Sequence, residues 1–96
     1  MNTRNEDSWV WVLIENPEKD EKIVGQHDEK TGISFIPAFE SKEDGLRCQS
    51  LIALPPGKIC EPQAILYGDL ATYAKENAFM IFFLDGMGKV LEKIEA

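Results

Sequence analysis

The residue types that most often build metal and catalytic sites are scarce in this chain of 96 residues, which contains one histidine and two cysteines. A structural zinc site needs four such ligands at short spacing. Cys48 and Cys60 lie twelve positions apart without a second pair, so we expect no metal site and no cofactor. A disulfide between them is possible in principle, but in a chain without an export signal two reduced thiols are the expected state.

Positive charge and long apolar runs are also scarce. Ten basic residues against 17 acidic ones leave a net charge of −7, which repels phosphate backbones and anionic lipids. The longest apolar run, residues 78–84, has only a strand's length against the ~20 residues of a membrane-spanning helix. The N-terminus is polar and acidic, unlike a secretory signal. We therefore expect a cytoplasmic protein that binds neither nucleic acid nor membranes.

The length of the chain favours one hydrophobic core, since domains usually run to roughly 100 to 150 residues. The composition, 44% hydrophobic and 28% charged, is typical of a folded domain. We expect residues 1–7 to be disordered or loosely ordered and residues 8–96 to form a single domain.

Four segments carry the main strand signal: residues 9–14, 33–39, 63–67 and 79–84 are rich in β-branched and aromatic side chains. A more polar run, residues 23–27, is predicted as an edge strand that forms a hairpin with 33–39. The pair Asp85-Gly86 indicates a tight turn, after which residues 89–94 return as a last strand.

Two helices are predicted between these strands. The first begins after Ser41, whose side chain can cap it, and runs to about residue 54. Its expected apolar stripe consists of Gly45, Cys48, Leu51 and Ile52. The second runs over residues 70–77 with Asp69 as its cap. The predicted fold class is therefore α+β, a single domain with a mixed or antiparallel sheet of about five to six strands and two helices.

The passage Phe35-Ile36-Pro37-Ala38-Phe39-Glu40-Ser41-Lys42-Glu43-Asp44 resembles the strand-to-helix passage of the SseB family (enhanced serine sensitivity protein B). The stretch from Gly68-Asp69-Leu70 to Phe82-Phe83-Leu84-Asp85-Gly86 is similar to that family's second helix and following strand. The resemblance spans most of residues 9–94. It implies a small α/β domain without established chemistry, and no catalytic residue is carried over from it.

No set of residues in the sequence indicates an active site. His27 has Asp28 beside it and Ser34 across the predicted hairpin, but neighbours on a strand point to opposite faces, which argues against a triad. Cys60 has Lys58 nearby, yet the adjoining Glu61 favours the thiol over the thiolate. The glycines of residues 85–88 join two strands, whereas a phosphate loop leads into a helix.

The sheet is the informative feature, because its main strands are apolar on both faces. If both helices pack on one face, the other exposes on the order of 500 Å² of apolar surface, which is large for a soluble monomer. A homodimer is the simplest arrangement that would bury this exposed face. The candidate interface residues are Trp9, Trp11 and Leu13, which point to one side of the first strand. The alternative places the helices on opposite faces, in a three-layer monomer.

Two function classes follow. The leading hypothesis is a non-catalytic protein-interaction module that self-associates through the apolar sheet face, with a further protein partner possible. The alternative is a small-molecule-binding protein or an unrecognised enzyme with a site at a dimer cleft, which needs a titratable group gathered in a pocket.

Overall fold

A computed structural model describes residues 5–16, 21–52, 57 and 59–95. Its elements, in chain order, are β1 (Trp9–Glu15), β2 (Lys22–Ile23), β3 (Gln26–Asp28), β4 (Ile33–Phe39), α1 (Lys42–Cys48), β5 (Cys60–Leu66), α2 (Tyr67–Glu76), β6 (Met80–Leu84) and β7 (Val90–Ile94). The structure confirms the α+β class with two helices. The described sheet has seven strands, slightly more than predicted, because the expected edge strand is divided into β2 and β3.

The long strands lie in the order β5, β1, β4, β6, β7. β1 is antiparallel to both β5 and β4, and β6 is parallel to β4, so β4, β5 and β6 all run in the same direction. β2 pairs with the end of β1, and β3 pairs with the beginning of β4. Both short strands lie between β1 and β4, beyond the point where those two strands pair with each other. The sheet is therefore mixed, which is one of the two arrangements that the sequence predicted.

The two helices pack on opposite faces of the sheet. The α2 face holds a buried cluster of Val10, Val12, Ile14, Ile36, Ala38, Tyr67, Leu70, Ala74, Ile81 and Phe83. The α1 face holds a second cluster of Leu13, Val24, Phe39, Cys48, Phe82 and Leu84. The prediction that both helices share one face and leave the other bare is therefore wrong, and the alternative's placement of the helices on opposite faces is correct.

α1 begins as predicted but ends earlier. The Ser41 hydroxyl accepts a hydrogen bond from the Asp44 amide at 3.2 Å, which satisfies a donor of the first helical turn. The α-helix ends at Cys48 and continues as one 3₁₀ turn, Gln49–Leu51. Leu51 is 59% exposed, so its assignment to the apolar stripe is wrong. Residues 53–54 of the predicted helix lie outside the described residues.

α2 begins at Tyr67, three residues before the predicted start, and no side chain among the described residues caps it. Its first backbone amides reach back to the N-terminal segment: Tyr67 donates to the Ser8 carbonyl at 2.8 Å, and Gly68 donates to the Glu6 carbonyl at 3.0 Å. These bonds replace the predicted Asp69 cap. Residues 1–4 of the expected loose N-terminus lie outside the described residues.

The predicted turn between β6 and β7 is present. One carboxylate oxygen of Asp85 accepts hydrogen bonds from the amides of Met87 at 2.8 Å and Lys89 at 2.9 Å. Gly88 has a φ of +83°, which glycine adopts without steric cost. The residues 85–88 therefore form a strand-to-strand turn.

Candidate functional site

The three predicted interface residues share one face of β1 but differ in exposure. Leu13 is fully buried in the α1-face cluster with Phe39 and Cys48. Trp11 is half-buried, and Trp9 is 64% exposed. Leu13 cannot contact a partner in this fold, because α1 covers it. The burial of Leu13 therefore corrects the prediction that this residue belongs to an exposed interface.

Trp9 lies beside β5, at the margin of the sheet. Its register partner is Leu66, and Ala64 is the partner of Trp11. Ala64 is exposed and Leu66 is half-buried. We call the outer margin of β5, together with Trp9, Ala64 and Leu66 on its α1 face, the β5 edge.

The backbone of β5 has an open side. Tyr67 donates to the Ser8 carbonyl, and Asn16 donates to the Ile59 carbonyl at 3.1 Å, so the odd-numbered residues of β5 bond to β1. In an antiparallel pair the intervening residues direct their N–H and C=O groups outward. Within the described chain β5 pairs with β1 alone. Residues 62, 64 and 66 therefore present backbone groups to a possible added strand.

Pro62 lies at the third position of β5, which begins three residues before the predicted segment 63–67. Proline has no N–H, so a strand accepts it where that group would point away from the neighbouring strand. The outward orientation of residue 62 meets this condition. Pro62 also removes one donor from the open side, which limits how far another strand can pair along it.

A separate pocket lies between the C-terminal half of α2 and the β2–β3 bend, which consists of Val24 and Gly25. Its volume is about 610 Å³, and its side chains on the α2 face are Ile23, His27, Ser34, Tyr73, Asn77 and Phe79. No sequence motif indicates this pocket, because it arises where β1 and β4 diverge around the bend. We call it the bend pocket.

His27 and Ser34 form the polar contact of the bend pocket. They are register partners on β3 and β4, and His27 Nδ1 lies 3.0 Å from Ser34 Oγ. Asp28 pairs with Ile33 and accepts a hydrogen bond from the Lys30 amide at 3.0 Å. Alternation along β3 therefore separates Asp28 from His27, as predicted, and the three residues form no triad.

The aromatic wall of the bend pocket consists of Tyr73 and Phe79. Their rings are stacked, with centroids 6.4 Å apart and planes at 11°. Both pack against the α2-face cluster. Gly25 lies directly against Phe79: a Cβ added there would be 2.8 Å from Cε1 of the ring. The glycine therefore allows the bend to pack on this wall.

The two cysteines are free thiols without the features of an activated nucleophile. Burial raises the pKa of the Cys48 thiol above its ordinary value, and the carboxylates of Asp85 and Asp44 raise it further. Burial also raises the pKa of the Cys60 thiol, with a smaller contribution from Glu15. A raised pKa disfavours the thiolate, which is the nucleophilic form.

Among the described residues no group of three or more His, Cys, Asp or Glu side chains is placed to hold a metal ion. No helix in the described part of the chain has the length and apolar character needed to cross a membrane. Comparison of the chain with protein families, with curated proteins and with solved structures found no match.

Proposed function

We propose that this chain is a non-catalytic protein-interaction module that self-associates through the β5 edge. One observation carries the proposal: within the described part of the chain, β5 has an open backbone side with an exposed tryptophan next to it. An open strand edge is a template for pairing with another strand. Self-association is thus assigned to a sheet edge, since both sheet faces carry buried clusters.

The proposed dimer has a twofold axis at Ala64, so that the two β5 strands run antiparallel. Each Ala64 then donates one N–H bond to the other copy, and each Leu66 amide donates to Pro62 of the second copy. Pro62 has no N–H and cannot donate a bond to Leu66 in return, so this register yields about four backbone hydrogen bonds. On the α1 face it brings Trp9 of each copy toward the twofold interface.

The expected affinity is low. A backbone hydrogen bond contributes about 1 kcal/mol net, and association has a large entropic cost. Both copies carry a net charge of −7, which opposes their approach at low ionic strength. We expect a dimer with Kd on the order of 100 μM that strengthens as salt is added.

Sedimentation velocity from about 10 μM to about 1 mM, at low and raised salt, tests this proposal around its expected Kd. Ala64→Pro removes the outward N–H without removing a bond to β1, and we expect it to stay monomeric with an unchanged circular dichroism spectrum. Ala64→Val, which keeps the N–H, is the matched control and should dimerise. A monomeric wild type at the highest concentration, or an equally dimeric Ala64→Pro variant, would refute the proposal.

Two further assignments belong to the same proposal. The chain acts in the cytoplasm, which is supported by the free state of both cysteines and the reducing conditions of that compartment. It is also an SseB-like domain, which is supported by the passage from β4, ending at Phe39, through the Ser41 cap into α1. Neither assignment carries a catalytic role.

A further inference from the structure

We infer that the bend pocket binds a small, uncharged aromatic molecule carrying one hydroxyl group, a ligand of the phenol class. The pocket volume of about 610 Å³ falls within the range of small-molecule sites. Such sites combine an apolar wall with a few directed polar groups. The stacked Tyr73 and Phe79 rings provide the wall, and the His27–Ser34 pair provides the polar group.

The second ring nitrogen of His27 is the polar atom that the ligand contacts. Nδ1 is occupied by Ser34 Oγ, while Nε2 makes no hydrogen bond within the described part of the chain. If the Ser34 hydroxyl donates to Nδ1, Nε2 carries the ring proton and donates; in the other tautomer Nε2 accepts. A ligand hydroxyl can donate or accept, so it matches Nε2 in both tautomers.

The aromatic part of the ligand is specified by the opposite wall. Aromatic rings associate favourably in offset-stacked or edge-to-face arrangements, beyond the contribution of apolar area alone. Phe79 is half-buried, and its ring packs so closely against Gly25 that an added Cβ would be 2.8 Å from Cε1. The closely packed aromatic rings therefore provide a surface on which a planar ligand can stack.

The absence of charge on the ligand follows from the protein's own field. The two charged residues that line the pocket, Glu15 and Lys22, are register partners of opposite sign and offset each other locally. The net charge of −7 on the whole chain then disfavours entry of an anion. The phenol hydroxyl is uncharged near neutral pH. A benzoate ion has a similar ring and should bind more weakly for this reason.

Phenol itself is the first probe, titrated into ¹⁵N-labelled protein and followed by amide chemical shifts. We expect saturable shifts at Gly25, Ser34 and Asn77 with Kd on the order of 1 mM, as is usual for so small a ligand. Cyclohexanol, which has the hydroxyl without the aromatic ring, and benzoate should each bind at least about fivefold more weakly.

His27→Ala should weaken phenol binding about tenfold, the effect of losing one hydrogen bond. Because His27 is exposed, this variant should keep the wild-type amide spectrum outside the pocket. Asp28→Asn, on the other face of the same strand, is the matched control and should bind as the wild type does. Shifts that map elsewhere, equal binding of cyclohexanol, or unchanged binding by His27→Ala would each overturn the inference.

Discussion

Truncation of Leu13 distinguishes the observed fold from the bare-face arrangement that the sequence suggested. Leu13 is fully buried between the sheet and α1, in contact with a cluster that includes Cys48. Leu13→Ala removes three carbons, and at about 0.8 kcal/mol for each buried methylene the transfer term is about 2.4 kcal/mol. The cavity left behind adds to this loss. We expect the free energy of unfolding to fall by about 3–4 kcal/mol.

Urea unfolding followed by far-ultraviolet circular dichroism measures this change. With a slope of about 1.5 kcal/mol/M, the midpoint should fall by about 2 M. A domain of this length has a total stability of roughly 5–14 kcal/mol, so the variant should remain folded in buffer. Protein concentrations well below the expected dimer Kd keep self-association out of the measurement.

Trp9→Ala is the matched control, because Trp9 lies on the same face of the same strand but is 64% exposed. We expect it to lower the free energy of unfolding by about 1 kcal/mol or less. If α1 did not cover this face, both positions would be exposed in the monomer and both variants would be nearly neutral. A loss below about 1 kcal/mol for Leu13→Ala would therefore contradict the three-layer packing.

Three further substitutions or conditions test local features. Gly25→Ala should destabilise the fold by about 1–3 kcal/mol, because its Cβ would lie 2.8 Å from the Phe79 ring, and thermal unfolding measures the loss. Ala78→Gly should raise the free energy of unfolding by about 1 kcal/mol in the same assay, since Ala78 has a φ of +60° just after α2. The fold disfavours ionisation of Cys48 and Cys60, because burial raises the pKa values of both thiols. The fold therefore keeps its full stability below the ordinary pKa of 9.0 and loses stability as pH rises through the native pKa values. Urea midpoints at about pH 8 and about pH 10 should show a fall that is smaller in Cys60→Ala, and an equal fall would refute this contribution.

Local features of the fold were predictable because nearby residues determine them. β1 and β4 were predicted from their β-branched and aromatic side chains, and β4 occurs with the predicted bounds. The start of α1 follows from a single capping interaction, Ser41 to Asp44. The Asp85 turn is equally local, since its carboxylate bonds to amides two and four residues later.

Features that depend on distant contacts were not predictable from these patterns. The start of α2 is set by backbone bonds to residues 6 and 8, about sixty positions earlier in the chain. The bend pocket requires the β2–β3 bend, α2 and Phe79 to meet, and none of these segments carries a motif for it. His27 and Ser34 were identified as cross-strand neighbours, but the aromatic wall opposite them has no sequence signature.

The positions of the two helices follow from strand order, which the sequence does not reveal. β4, β5 and β6 run in the same direction, so α1 and α2 each lie in a crossover connection between parallel strands. From β4 the chain passes over β1 to β5, and from β5 it returns past β1 and β4 to β6. Such crossovers are right-handed in nearly all proteins. Two right-handed crossovers that move in opposite directions across a sheet must lie on opposite faces, where α1 and α2 are found.

This topology also supports placing the proposed self-association at an edge of the sheet, although its strands are apolar on both faces. Helices on each face bury side chains such as Leu13 and Val12, but they form no hydrogen bonds with the margin of a strand. β7, at one margin, has the charged residues Glu92 and Lys93, which discourage pairing with a further strand. β5, at the other margin, has one charged residue, Glu61, and has Trp9 beside it. Face coverage and the smaller number of charged residues on β5 therefore support placing the proposed second copy at the β5 edge.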